Sequence, residues 1–205
     1  MEIAKSTSDR RRGVVILLLV AVLMASLVYL AISDRADAQV IGHINQQPVT
    51  LERFEDEIRL QQVRYQLANR PGQEVITPEL LNRMISDLLL LQGAEEAEVA
   101  VEQEEVDSEV EAVLDRANSS RQQMTRLLAE LRLDWEVFER SIREYLTLRR
   151  FQKEVLLDEV PAGERSAFLR DWMFESYERA EIEFDAEFLA TVNPAGLPPA
   201  LDPGG

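Results

Sequence analysis

Apolar positions follow three different rules along this chain. From Gly13 to Ile32 they run without interruption, GVVILLLVAVLMASLVYLAI, and no charge breaks them. About twenty residues at about 1.5 Å rise span roughly 30 Å, the thickness of a bilayer's hydrocarbon core. A helix buried in a soluble core keeps a polar face, and this stretch has none, so residues 13–32 are expected to form one transmembrane helix.

From residue 39 onwards the pattern is that of a folded domain. Gln39 to Thr50 predicts a short strand, a turn at Asn45-Gln46-Gln47-Pro48 and a second extended piece, which Pro48 confines to a sheet edge. Thr50 then caps a helix to about Ala68, with Leu51, Phe54, Ile58 and Tyr65 on its inner face, and Asn69-Arg70-Pro71-Gly72 ends it. Thr77 as cap and Pro78 behind it start a second helix with a wide stripe of Leu81, Met84, Ile85, Leu88, Leu89 and Leu91; Gly93 is expected to loosen its last turn. A third helix at 102–117 carries Val106, Val110, Val113 and Leu114 as a narrow seam. After Ser119-Ser120 a short helix at 121–131 carries Met124, Leu127, Leu128 and Leu131.

Asp134 caps a long helix to about Leu156, with Trp135, Phe138, Ile142, Tyr145, Leu146 and Val155 at helical spacing. After the turn at Pro161-Ala162-Gly163, a last helix at 165–179 includes Phe168, Trp172 and Tyr177. The period then changes to two: Glu181-Ile182-Glu183-Phe184-Asp185 is the pattern of a half-buried strand. It has no neighbour in sequence to pair with, so its expected partner is Val40–Asn45, at the other end of the domain. The fold class is therefore mostly α with a small β element closed by pairing of the two ends. The expected organisation is a cytoplasmic N-terminus (1–12), the transmembrane helix (13–32), a linker (33–38), a helical domain (39–190) and a disordered Pro/Gly-rich tail (191–205).

Charge adds direction. Lys5, Arg10, Arg11 and Arg12 precede the apolar run, while Arg35 follows it beside Asp34 and Asp37. The excess of positive charge before the span places the N-terminus in the cytoplasm and everything after Ile32 outside it. The alternative is a signal peptide cleaved after Ala38 at Ala36-Asp37-Ala38, but the apolar run is longer than such peptides use. The chain carries −16; its first twelve residues hold four basic and two acidic groups, so the remainder carries −18. Such a surface repels nucleic-acid phosphates and anionic headgroups.

Catalytic constellations are scarce. Cysteine is absent, and His43 is the sole histidine, which excludes disulfides, thiol nucleophiles, Cys-ligated zinc and HExxH sites. No G-x-S-x-G elbow or phosphate-binding glycine loop occurs, so no catalytic, cofactor or metal residue is assigned. The carboxylates from Glu95 to Glu111 read as a solvated helix face. Arg140, Arg143, Arg149, Arg150 and Lys153 on the long helix are its expected counter-charge. Ala21 and Ala25 form a small-xxx-small pair within the apolar run.

Three stretches, in this order and spacing, resemble the N-terminal domain of the SurA, PpiD and PrsA group of extracytoplasmic chaperones and foldases. They are Val40 to Leu51 followed by Phe54; Leu80 to Gln92 with Ala94, Val99-Ala100-Val101 and Glu105-Val106-Asp107; and Leu133 to Phe138 with Ile142-Arg143. Phe168 to Phe184 resembles that family's closing helix and strand. Gln46 stands where the family has Gly in the turn, and Glu102 where it has a Ser or Thr cap. Between Pro161 and Arg179 there is no room for the parvulin isomerase domain of about a hundred residues that many relatives insert, so isomerase activity is not carried over.

The resemblance implies a membrane-anchored, extracytoplasmic, ATP-independent chaperone-like protein that binds unfolded or newly exported polypeptides. Met124, Leu127, Leu128, Leu131 and Trp135, at a helical hairpin, are the expected client contacts. The alternative is a membrane-tethered scaffold for one envelope partner, and a degenerate prolyl isomerase stands behind both.

Overall fold

The computed structural model describes residues 39–192. The expected cytoplasmic segment, transmembrane helix, linker and possible cleavage site lie outside the described residues, as does the tail from residue 193. Among the described residues no helix is long and apolar enough to cross a membrane. In order they form β1 (Val40–Ile44), β2 (Gln47–Thr50), α1 (Leu51–Leu67), α2 (Thr77–Glu96), α3 (Gln103–Arg116), α4 (Arg121–Glu130), α5 (Trp135–Arg150) running into a π-helical turn (Phe151–Leu156), α6 (Arg165–Arg179), β3 (Ile182–Phe184) and α7 (Ala186–Thr191). The mostly helical class with a small sheet is as the periodicity implies.

The ends of the domain meet. The sheet order is β2-β1-β3, with β1 antiparallel to both neighbours, and Gly42, His43 and Ile44 face Phe184, Glu183 and Ile182. β2, with Pro48, is an edge strand as expected. Asn45 and Gln46 turn the hairpin with φ of 49° and 67°, the left-handed pair that a two-residue turn demands. Gln46 pays no glycine-like ease there, and side chains brace the turn instead. Asn45 accepts the Glu181 N–H at 2.9 Å and donates to Gln92 Oε1 at 2.8 Å, and Gln92 donates to the Ile44 carbonyl at 3.1 Å. Gly42 serves another need: a β-carbon there would sit 2.4 Å from the Glu183 carbonyl oxygen and 2.5 Å from the Phe184 ring, so only hydrogen lets β3 approach.

Two main apolar clusters result. The first, beneath the sheet, joins Ile41, Ile44, Val49 and Phe54 to Leu81, Ile85 and Leu88 of α2 and to Phe188, Leu189 and Val192. Phe188 meets Phe54 edge to face at 5.0 Å and stacks on Phe184 at 5.9 Å. α7 was not expected: it runs to Thr191, and Val192 after it is buried in the sheet-side cluster. The short AEFLAT helix is masked in sequence by the Pro/Gly stretch that follows it. The second cluster joins Leu60 and Val63 of α1 to Val106, Val110 and Leu114 of α3, Met124 and Leu128 of α4, Leu133, and Phe138 and Ile142 of α5.

Several local expectations need adjustment. α2 begins at Thr77 rather than after it, and Ile76 precedes it without a side-chain cap. Gly93 does not loosen the helix: a β-carbon there would lie 2.8 Å from Phe151, whose buried ring fills that space and meets Trp172 at 5.8 Å. Tyr145 and Val155 follow the helical spacing but are 49% and 46% exposed. α6 buries none of its residues fully; Trp172, Met173 and Tyr177 pack inward, and the Tyr177 hydroxyl bonds Ser86 Oγ at 2.9 Å. The α3 carboxylates are mostly solvated, as expected. Of the basic groups on the long helix, Arg150 pairs with Glu105 of α3, whereas Arg140 reaches Asp56 of α1 at 3.2 Å.

Candidate functional site

An opening with apolar walls lies along the outer flank of α1. Ile58, Gln62, Tyr65 and Gln66 recur at helical spacing and form one wall. The helix stops because Asn69 adopts a left-handed φ of 55°, and the Arg70 N–H returns to the Tyr65 carbonyl at 2.8 Å. Pro71 and Gly72, the latter at φ 78°, then send the chain back beside the helix. Gly72, Gln73, Glu74 and Val75 form the facing wall before Thr77 begins α2. Leu131, at the end of α4, closes the groove, which encloses about 500 Å³. That is within the roughly 300–1,000 Å³ of ordinary ligand sites.

The groove straddles the two clusters. Ile58 and Val75 pack against the sheet-side core, while Leu131 packs against the helical one. Its rim is amide-rich, and Glu74 is the only charged side chain among its lining residues. Apolar walls with neutral hydrogen-bonding groups at the mouth suit an extended peptide: side chains enter the groove and backbone amides meet Gln62, Gln66 and Gln73.

The five client contacts expected from sequence separate on inspection. Met124 and Leu128 are 0% and 2% exposed and are core residues; in this conformation they present nothing to a partner. Leu127 and Trp135 are half-buried against the helical cluster. Trp135 is committed locally: its indole N–H donates to Glu139 at 2.8 Å, and the Arg121 guanidinium lies 4.3 Å from its ring. Of the five, Leu131 lines the groove. Ile58 packs inward against the sheet-side core as its spacing implies, whereas Tyr65, expected on the same inner face, lies in neither cluster. The signal against that reading is a second apolar stripe on the same helix, Leu60, Val63 and Leu67, which already supplies an inner face.

A second cleft, about 320 Å³, lies among α1, α2 and α5 and is charged. Arg53 pairs with Glu144 at 2.8 Å, and Arg64 and Arg83 both donate to Gln61 Oε1, at 3.2 and 2.9 Å. Burial raises Asp87 to about 6, with the neighbouring Glu57 charge adding to it, and burial also raises Glu57. Met84, Leu91, Tyr145 and Leu148 supply apolar lining. The cleft raises the pKa of two carboxyls but contains no nucleophile paired with a base. His43, exposed on the outer face of β1, is not part of it. Among the described residues no group of three His, Cys, Asp or Glu side chains is placed to hold a metal ion.

The family model described as the SurA-like N-terminal domain matches residues 5–152. The Chaperone SurA of Saccharophagus degradans is 23% identical to this chain over 153 residues, which cover 70% of the chain and 36% of that relative. The chain thus spans little more than a third of the length of the curated relative it matches.

Proposed function

The chain belongs to the SurA-like N-terminal domain family, and from that membership we propose that it is an ATP-independent, chaperone-like protein that binds unfolded or newly exported polypeptide through the α1 groove. The observation that carries this reading is the uncovered apolar channel at Ile58, Tyr65, Val75 and Leu131, rimmed by amides. A near-neutral rim does not select clients by charge, as broad capture of unfolded segments requires. The apolar run at 13–32 and the basic residues before it support a single-pass anchor with the domain outside the cytoplasm. The domain then sits where exported chains emerge. The helical domain is proposed to extend through Val192, followed by the Pro/Gly tail.

The reading includes no isomerase step. Only a short turn, Leu157 to Glu164, joins the π-helical segment to α6, where many relatives insert their parvulin domain. The test is light scattering of several unrelated aggregating proteins without nucleotide. The chain in mild detergent delays aggregation of each, and Tyr65→Glu, which places a charge in the groove, removes most of that delay. A chain that protects none of them but retains one envelope protein tightly is a scaffold, and the chaperone reading is then wrong.

A further inference from the structure

The sheet's two edges are finished differently. On the β2 side, Pro48 faces His43 at a position that does not hydrogen-bond across the hairpin, so its ring occupies the outward place of an N–H. That edge cannot template a further strand there. On the β3 side the bonds to β1 are made by alternate residues. The Asn45 N–H donates to the Glu181 carbonyl at 2.8 Å, and the Asp185 N–H donates to the Ile41 carbonyl at 2.9 Å. Antiparallel alternation then turns the N–H and C=O of Ile182 and Phe184 outward, and β3 has no strand on that side among the described residues.

The side chains around this edge are predominantly acidic. Glu183 of β3 and Glu181 and Asp185 at its two ends are exposed, flanked by the exposed Glu178 and Glu187. Arg179, the nearest cation in sequence, donates to the carbonyl of Glu175 in its own helix at 3.1 Å. Ile182 and Phe184 are half-buried on the opposite face, continuing the sheet-side core to its rim. An incoming strand at about 4.8 Å therefore meets an alternating template, carboxylates outside and apolar groups inside.

We propose that the free edge of β3 takes up an extended cationic polypeptide segment as a fourth strand. Lysine or arginine side chains of the guest lie beside Glu181, Glu183 and Asp185, and apolar side chains alternate with them beside Ile182 and Phe184. Backbone pairing supplies the docking and charge supplies the selection. This site is separate from the α1 groove and differs from it in kind: the groove accepts apolar side chains with little regard for charge, whereas the edge selects basic, alternating segments. With two residues exposing their backbone groups, the edge forms at most four hydrogen bonds, so binding is weak and falls with salt.

The probe is a labelled heptapeptide, Lys-Val-Lys-Val-Lys-Val-Lys, titrated by fluorescence anisotropy at low salt with the full chain in mild detergent. N-methylation of its three valine amides keeps the charge and removes the donors that face the edge; binding weakens about tenfold or more, as loss of the two bonds to the Ile182 and Phe184 carbonyls implies. Glu183→Lys also weakens binding about tenfold. Glu111→Lys, an equal charge change on the exposed face of α3, and Tyr65→Glu in the groove both leave it within about twofold. Thermal unfolding confirms that each variant is folded. Equal binding of the methylated and unmethylated peptides, or equal losses for Glu183→Lys and Glu111→Lys, overturns the proposal in favour of diffuse attraction to an acidic surface. Loss of the peptide with Tyr65→Glu alone assigns it to the groove and overturns the proposal as well.

Discussion

The two apolar clusters are built from different kinds of sequence. The helical one draws chiefly on Val106 to Ile142, where α3, α4 and α5 follow one another through short turns, with Leu60 and Val63 of α1 packed against them. The sheet-side one joins Ile41 and Ile44 to Phe188, Leu189 and Val192, residues from opposite ends of the domain. Local contacts form with little loss of chain entropy, whereas the sheet-side cluster closes only when β3 and α7 return to β1. The groove runs along the seam between them, so its width depends on both clusters remaining intact. The lesson is that one half of the domain depends on a distant segment for its closure and the other does not.

The largest effect is expected from removing that segment. Ending the chain after Arg179 deletes β3 and α7, including Phe188, Leu189 and Val192. At roughly 1.5–3 kcal/mol per buried side chain the loss rivals the roughly 5–15 kcal/mol that holds a typical domain together. Hydrogen exchange is expected to show unprotected amides in β1 and the N-terminal half of α2, with protection retained in α3 to α5. Ending it after Val192 instead leaves the melting temperature nearly unchanged. If the two truncations melt alike, the ends do not close the fold.

A cavity in the local cluster tests the other half. Met124→Ala empties a fully buried position and is expected to reduce stability by about 2–5 kcal/mol, with early exchange confined to α3, α4 and α5. Next in size is Gly42→Ala, where the new methyl meets the Glu183 carbonyl and the Phe184 ring; about 1–3 kcal/mol is lost, and the loss falls on the sheet side. Equal effects of both substitutions on all amides would mean one cooperative core rather than two.

The smallest effect concerns pH. The folded protein holds the Asp87 proton up to about pH 6, whereas the unfolded chain releases it near 3.8. Between those values the folded state binds more protons, so this group's contribution to stability declines as pH rises through the window. The raised Glu57 works in the same direction. Asp87→Asn is expected to raise the melting temperature slightly at pH 7 and to flatten its slope between pH 4 and 6, as followed by circular dichroism. An unchanged slope shows that the cleft does not hold Asp87 away from water.

Much of this architecture was legible in the sequence because its causes are local. Thr50 caps α1 by accepting the Arg53 N–H, Pro48 marks an edge, and the Glu181–Asp185 alternation identifies β3 and, for want of a neighbour, its partner. What stayed hidden depends on tertiary arrangement. Met124 and Leu131 lie on the same short helical segment, and spacing alone does not tell which faces Val106 and which faces the returning loop at 72–75. Gly93 reads as a weak point until Phe151, 58 positions later, occupies the space beside it. Tyr65 reads as core because α1 carries apolar residues on two sides, and only the second cluster shows which side is left over.

The central claim is that unfolded polypeptide binds along the seam at Tyr65. The direct measurement places a photo-activatable benzoyl-phenylalanine at position 65 of the full chain in cells, with position 111 on the exposed face of α3 as control. Irradiation is expected to give a ladder of adducts with many exported polypeptides from position 65 and almost none from position 111. No adducts at 65, or equal yields at the two positions, contradicts the account.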